Sequence, residues 1–207
     1  MKIDNVTLMK MARTSLEGKW GLAIGTCLIY MIITGAIQGI SPVTPLSGIV
    51  TLIIAGPFAL GLAIFSLTLS RNKDPKLSLI FEGFNNFGTA LAAYLLIVLY
   101  VVLWALLLIV PGIIAAISYS MTFYILADEP SLSAHAALDK SKKMMDGYKL
   151  QYFYLMLRFF LLALLCILTL GIGFLWLFPY IQITLAKFYD GLKQDGSADG
   201  NLLDQIS

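Results

Sequence analysis

Six apolar runs, at roughly 20–40, 48–69, 89–110, 112–127, 150–169 and 171–189, are joined by connections of two kinds that alternate along the chain. The connections near 41–47, 110–112 and 169–171 carry no charge of either sign. The others are basic: Arg71, Lys73 and Lys76 follow the second run, and Lys140, Lys142, Lys143 and Lys149 follow the fourth. Lys2, Lys10, Arg13 and Lys19 precede the first run, and Lys187 and Lys193 close the last. A helix crosses a hydrocarbon core about 30 Å thick with about 20 apolar residues, and basic residues stay on the cytoplasmic side during insertion. The pattern therefore predicts an all-α, polytopic integral membrane protein. Its six transmembrane helices form three hairpins, with cytoplasmic amphipathic helices and both termini in the cytoplasm.

Composition agrees with that solvent. Of 207 residues, 59% are hydrophobic and 13% charged, with mean hydropathy +0.85, against about 45–50% and about 25% in soluble domains. A net charge of +2 sets up no global field that would draw nucleic acid. Cys27 and Cys166 lie inside apolar runs and read as small packed hydrophobes. His135 is the one histidine and has no ligand cluster about it, so no metal or cofactor is expected. The first run is longer than the ~7–15 apolar residues of a secretory signal, and reads as the first membrane helix.

Three regions follow. Residues 1–19 form a cytoplasmic amphipathic segment, with Asp4 or Asn5 as cap and Leu8, Met11, Ala12 and Ser15 on one face. Residues 20–189 form the six-helix domain. Residues 190–207 are a polar, glycine-bearing tail without the apolar content to order itself. Within 89–127 only Pro111-Gly112 interrupts the apolar sequence. One straight helix there would be about 58 Å long, nearly twice the core, so a hairpin turning at Pro-Gly is expected. An internal repeat shows at Asp74-Pro75-Lys76-Leu77-Ser78 and Glu129-Pro130-Ser131-Leu132-Ser133.

Five features are candidates for function. The segment 131–148 places Ala134, Ala137, Leu138, Ser141, Met145 and Tyr148 on one face, with Lys140, Lys142 and Lys143 outside it. Such a helix either packs and sets topology or lies in the headgroup plane with its lysines near anionic lipid. In the first membrane helix, Gly21, Gly25, Gly35 and Gly39 form two GxxxG pairs on one face. These suit close approach by another helix of the same chain or by a second copy. Arg158 is a charge well inside an apolar run; it either snorkels to the interface or serves an ion pair or substrate. Pro57, Pro111 and Pro179 each remove a backbone donor and are candidate kinks. The hydroxyls from Ser118 to Tyr124 are expected to bond between helices. No HExxH, GxSxG, intramembrane carboxylate pair or phosphate loop is present.

The stretch PGIIAAISYSMTFYILADEPSLSAHAALDKSKKMMDGYK, with Phe81-Glu82-Gly83-Phe84, Leu168-Thr169-Leu170-Gly171-Ile172-Gly173 and Pro179-Tyr180, resembles a bacterial integral-membrane family known as domain of unknown function 975. The chain departs from the family's pattern at Leu157-Arg158-Phe159-Phe160, which makes Arg158 a feature of this sequence. The resemblance implies a bacterial plasma-membrane location and no particular activity. The expected function is non-enzymatic, acting through membrane lipid, through another membrane protein, or as a homo-oligomeric scaffold. A small transporter or channel built from repeated hairpins is the alternative.

Overall fold

A computed structural model describes residues 4–39 and 45–204, without the side chains of 37–39, 45–47, 49 and 197–204. Every regular element among the described residues is helical. In chain order they are α1 (Asn5–Leu16), α2 (Trp20–Gly39), α3 (Pro45–Ser70), α4 (Leu79–Glu82), a 3-10 turn (Gly83–Asn86), α5 (Phe87–Leu107), α6 (Ile109–Ser118), α7 (Thr122–Asp128), α8 (Ala134–Met144), α9 (Lys149–Leu168) and α10 (Phe174–Asp204).

Four stretches are long and apolar enough to cross a bilayer: Val50–Ser70, Leu79–Leu107, Ile109–Asp128 and Lys149–Leu168. A fifth is counted if Asn5–Leu16 and Trp20–Ala36, bent by 97°, make one broken span. The expected run 171–189 is not among them. It opens α10, which carries Gln182 and Lys187 among its apolar residues.

α1 is capped by Asp4, whose carboxylate accepts from the backbone N–H of Val6 at 3.1 Å. Leu8, Ala12, Ser15 and Leu16 are buried, while Met11, expected beside them, is exposed. Side chains pin both ends of the helix. Asn5 donates to the carbonyl of Gln151 at 3.0 Å, and Ser15 donates to the carbonyl of Ser70 at 3.3 Å.

α3 packs on its neighbours through backbone contact. A Cβ on Gly56 would stand 2.5 Å from the carbonyl oxygen of Ala90. One on Gly83 would stand 2.6 Å from the backbone nitrogen of Gly61 and would run into the carbonyl of Pro57. Only glycine lets the 3-10 turn lie so near α3.

The long apolar stretch does reverse, though at Leu108 rather than at Pro111-Gly112. Leu108 is extended (φ −160°, ψ 146°) between α5 and α6, and the rings of Tyr100 and Tyr119 stack 5.8 Å apart. A continuous helix would hold residues nineteen apart at about 28 Å. Pro111 falls in the first turn of α6, where its missing N–H costs nothing. Its expected kink is therefore replaced by a helix start. Pro57 and Pro179 do lie inside α3 and α10.

α10 is enclosed toward its charged end, with Ile183, Thr184, Ala186 and Tyr189 buried. It also corrects the expected tail. The helix runs on past 190 to Asp204, with Leu192 buried and Tyr148 donating to the Asp195 carboxylate at 3.0 Å.

Candidate functional site

Three chain segments converge where α3, α7 and α10 bring their charged ends together. Arg71, one residue past α3, faces Asp128 at the end of α7 and Asp190 within α10. Its two terminal nitrogens donate to the two oxygens of Asp128 at 2.6 and 2.9 Å. Its Nε and Nη2 donate to Oδ1 of Asp190 at 3.1 and 2.7 Å. A planar guanidinium serves two carboxylates at once in this way, where an ammonium would act as a point charge. Lys193 donates to Asp128 at 2.8 Å and the Tyr189 hydroxyl donates to the same oxygen at 3.2 Å. Lys187 donates to the Ser70 carbonyl, and Ser70 donates to Asp190 at 3.4 Å.

The Asp128 side chain is 10% exposed and that of Arg71 31%. The hydrogen bond it donates to Asp128 lifts the Arg71 guanidinium above its already basic range; burial opposes this, and Asp190 adds to it. The arrangement can hold three helices in register. Each carboxylate is met by the chain's own cations, Asp128 by Arg71 and Lys193 and Asp190 by Arg71.

This is also where the rest of the charge collects. Lys19 donates to the carbonyl of Lys73 at 3.2 Å, Asn86 donates to the carbonyl of Pro130 at 2.7 Å, and Lys140 pairs with Glu129 at 2.5 Å. The opposite turns carry exposed apolar side chains instead, among them Leu107, Leu108 and Leu170.

A family model described as protein of unknown function (DUF975) matches residues 1–118 and 106–196. The chain belongs to this family. No curated protein and no solved structure matches it. Both matched stretches of the DUF975 family include α6, and together they take in Arg71, Asp128, Asp190 and Lys193.

The residues singled out in the sequence fall elsewhere in this DUF975 chain. Lys142 and Lys143 are exposed on α8, while Lys140 is turned to Glu129. The apolar face of α8 meets protein, not a headgroup layer: Ala137, Leu138 and Met145 are buried. Ser141 on that face donates to the carbonyl of Ser118 at 2.8 Å and accepts from the N–H of Met121 at 3.2 Å. It thereby satisfies two backbone groups left open where α6 gives way to α7.

Among the described residues, a Cβ at Gly21, Gly25 or Gly35 would meet nothing within 4 Å, so no other helix packs closely on these glycines. The surroundings of Gly39 lie outside the described residues. Arg158 is exposed on α9. The hydroxyls of Ser118, Ser120 and Thr122 bond back to carbonyls three or four residues earlier, and interhelical bonds join Tyr124 to Gln182 at 3.3 Å and Ser120 to Tyr152 of α9.

Sequence reasoning misses the Arg71 cluster because Arg71 and Lys193 report topology by themselves, whereas Asp128 and Asp190 carry no topology signal. A signal existed. Arg71, Asp128 and Asp190 each stand within two residues of the end of the second, fourth and sixth apolar runs.

Proposed function

We propose that the chain is a non-enzymatic, six-pass protein of the bacterial plasma membrane with both termini cytoplasmic. It acts as a scaffold through contact with anionic lipid and with further copies of itself. The observation that supports this best is where the free space lies. Openings of about 740 and 480 Å³ lie on the outer flank, between α1, α9 and α10, and both are broadly open to the surroundings. At the candidate kink Pro57, the carbonyl abuts Gly83 of the 3-10 turn. Exposed Lys142 and Lys143 on a helix anchored by Ser141 give the charged end a fixed cationic face. Each such lysine near an anionic surface is worth about 1 kcal/mol. The bare glycine face of α2 is the surface on which a second copy would seat.

Native mass spectrometry of the full chain, extracted from membranes of equal phosphatidylglycerol and phosphatidylcholine, tests both parts at once. Retention of phosphatidylglycerol over phosphatidylcholine is expected, with part of that enrichment lost in K142Q/K143Q. More than one chain per particle is expected, reduced to one in G25L/G35L. A single copy that retains both lipids equally would overturn the reading.

A further inference from the structure

The two outer openings share Met9, Arg13, Leu162, Leu165 and Tyr180, so they are parts of one groove between α1 and the flank of α9. One end is cationic, lined by Lys10 and Arg13 of α1 and by Arg158 of α9. Among the described residues none of these three forms an ion pair with an acidic side chain. The other end is apolar and bounded by Trp20, Cys166 and Trp176.

The flank beside it belongs to the apolar stretch Lys149–Leu168, with Leu157, Leu161, Leu164 and Leu165 exposed. Arg158 lies nine residues into α9, about 13 Å along its axis. A charge at such a depth is retained where a counter-charge reaches it, and the described residues supply none there. A groove of this size, apolar with a few convergent polar groups, has the character of a ligand site.

We propose that the groove between α1 and α9 binds an anionic phospholipid, its phosphate held by Lys10, Arg13 and Arg158 and an acyl chain lying along Leu162, Leu165 and Trp176. The site rests on the reading of this chain as a lipid-contacting membrane protein, and gives that contact an address separate from Lys142 and Lys143. Charge complementarity selects the headgroup. The unbroken passage from cations to leucines and tryptophans selects a lipid over a free anion.

The test is a titration of the purified full chain in neutral detergent with phosphatidylglycerol, phosphatidylcholine and inorganic phosphate. Phosphatidylglycerol is expected to bind and phosphatidylcholine to bind far more weakly. Millimolar phosphate should fail to displace the lipid. With each surface cation worth a factor of about five, R13Q/R158Q should lose about 25-fold in affinity. R13K/R158K should keep most of it, and L165W should weaken binding by filling the apolar half.

The loss in R13Q/R158Q should be the same with or without K142Q/K143Q, because the two contacts are separate. Equal binding of R13Q/R158Q and wild type, at matched thermal stability, would overturn the groove while leaving the α8 contact standing if K142Q/K143Q still lowers lipid retention. Displacement by phosphate alone would overturn the acyl half and leave an anion site. Equal affinity for the two lipids would overturn the headgroup assignment.

Discussion

At the scale of single residues, two sets of glycines have opposite meanings. The GxxxG spacing of α2 was legible, but spacing reports only that a backbone can be approached. Among the described residues, Gly21, Gly25 and Gly35 have nothing within 4 Å of where a Cβ would stand, whereas Gly56, Gly61 and Gly83 touch neighbouring backbone. The second set follows no such spacing, and Gly83 lies outside every apolar run, so nothing local marks it. An alanine in a helix gains about 1 kcal/mol over glycine, while overpacking costs about 1–3 kcal/mol. Gly61→Ala, driven against the carbonyl of Ile80, should therefore lower the melting temperature in detergent, and Gly25→Ala should raise it or leave it unchanged. Equal shifts for both would mean that the contact between α3 and α4 is loose. The Arg71 cluster yields the other residue-level expectation. Arg71→Ala strands Asp128 and Asp190 side by side and should cost about 3 kcal/mol. Lys193→Ala, with a side chain 48% exposed, should cost less than about 1 kcal/mol. Thermal melts of the two variants in the same detergent decide between a structural lock and an incidental surface network.

Elements were legible in kind and less so in their surroundings. The period of 131–148 marks a helix, and α8 spans Ala134–Met144. An apolar stripe looks the same whether it meets lipid or protein, so the burial of Leu138 and Met145 against α5 and α7 could not be read from it. The reversal within 89–127 followed from length alone, because a single helix would overrun the bilayer. Its position did not. The turn is made by an extended leucine, and Pro111-Gly112, the strongest turn signal in the stretch, is used instead to start α6 and to let Gly112 back onto Ala105, with a Cβ-to-Cβ distance of 2.8 Å were an alanine there. The fold-back has a direct check. In a chain with Cys27 and Cys166 replaced by alanine, Y100C/Y119C should crosslink readily with a short bifunctional thiol reagent. A92C/Y100C, eight residues apart within α5 and so about 12 Å apart along its axis, should not. Failure of the first pair would restore the straight helix.

At the scale of the whole molecule, hydropathy and enclosure act on different helices. Val50–Ser70, Leu79–Leu107, Ile109–Asp128 and Lys149–Leu168 satisfy the apolar requirement by themselves. α10 does not, yet its polar groups are met by protein: Gln182 by Tyr124, Lys187 by the Ser70 carbonyl, Asp190 by Arg71. A helix surrounded by other helices can carry such groups where a lipid-facing one cannot. Enclosure thus explains how 171–189 could cross a bilayer while falling short in hydropathy. If it crosses, the turn before it and the turn after α3 lie on opposite sides of the membrane, as the distribution of lysine and arginine requires. Ile172 and Asn72 mark those turns, and both are free of the Arg71 contacts. With the native cysteines replaced by alanine, I172C should react in intact cells with an impermeant thiol reagent. N72C should react only after the membrane is opened. Labelling of both from outside would place the charged end in the wrong compartment. Labelling of neither would mean that the α9–α10 turn stays within the bilayer, so that α9 and α10 form a re-entrant pair. The six-pass arrangement survives only if the two sites differ, with Ile172 outside.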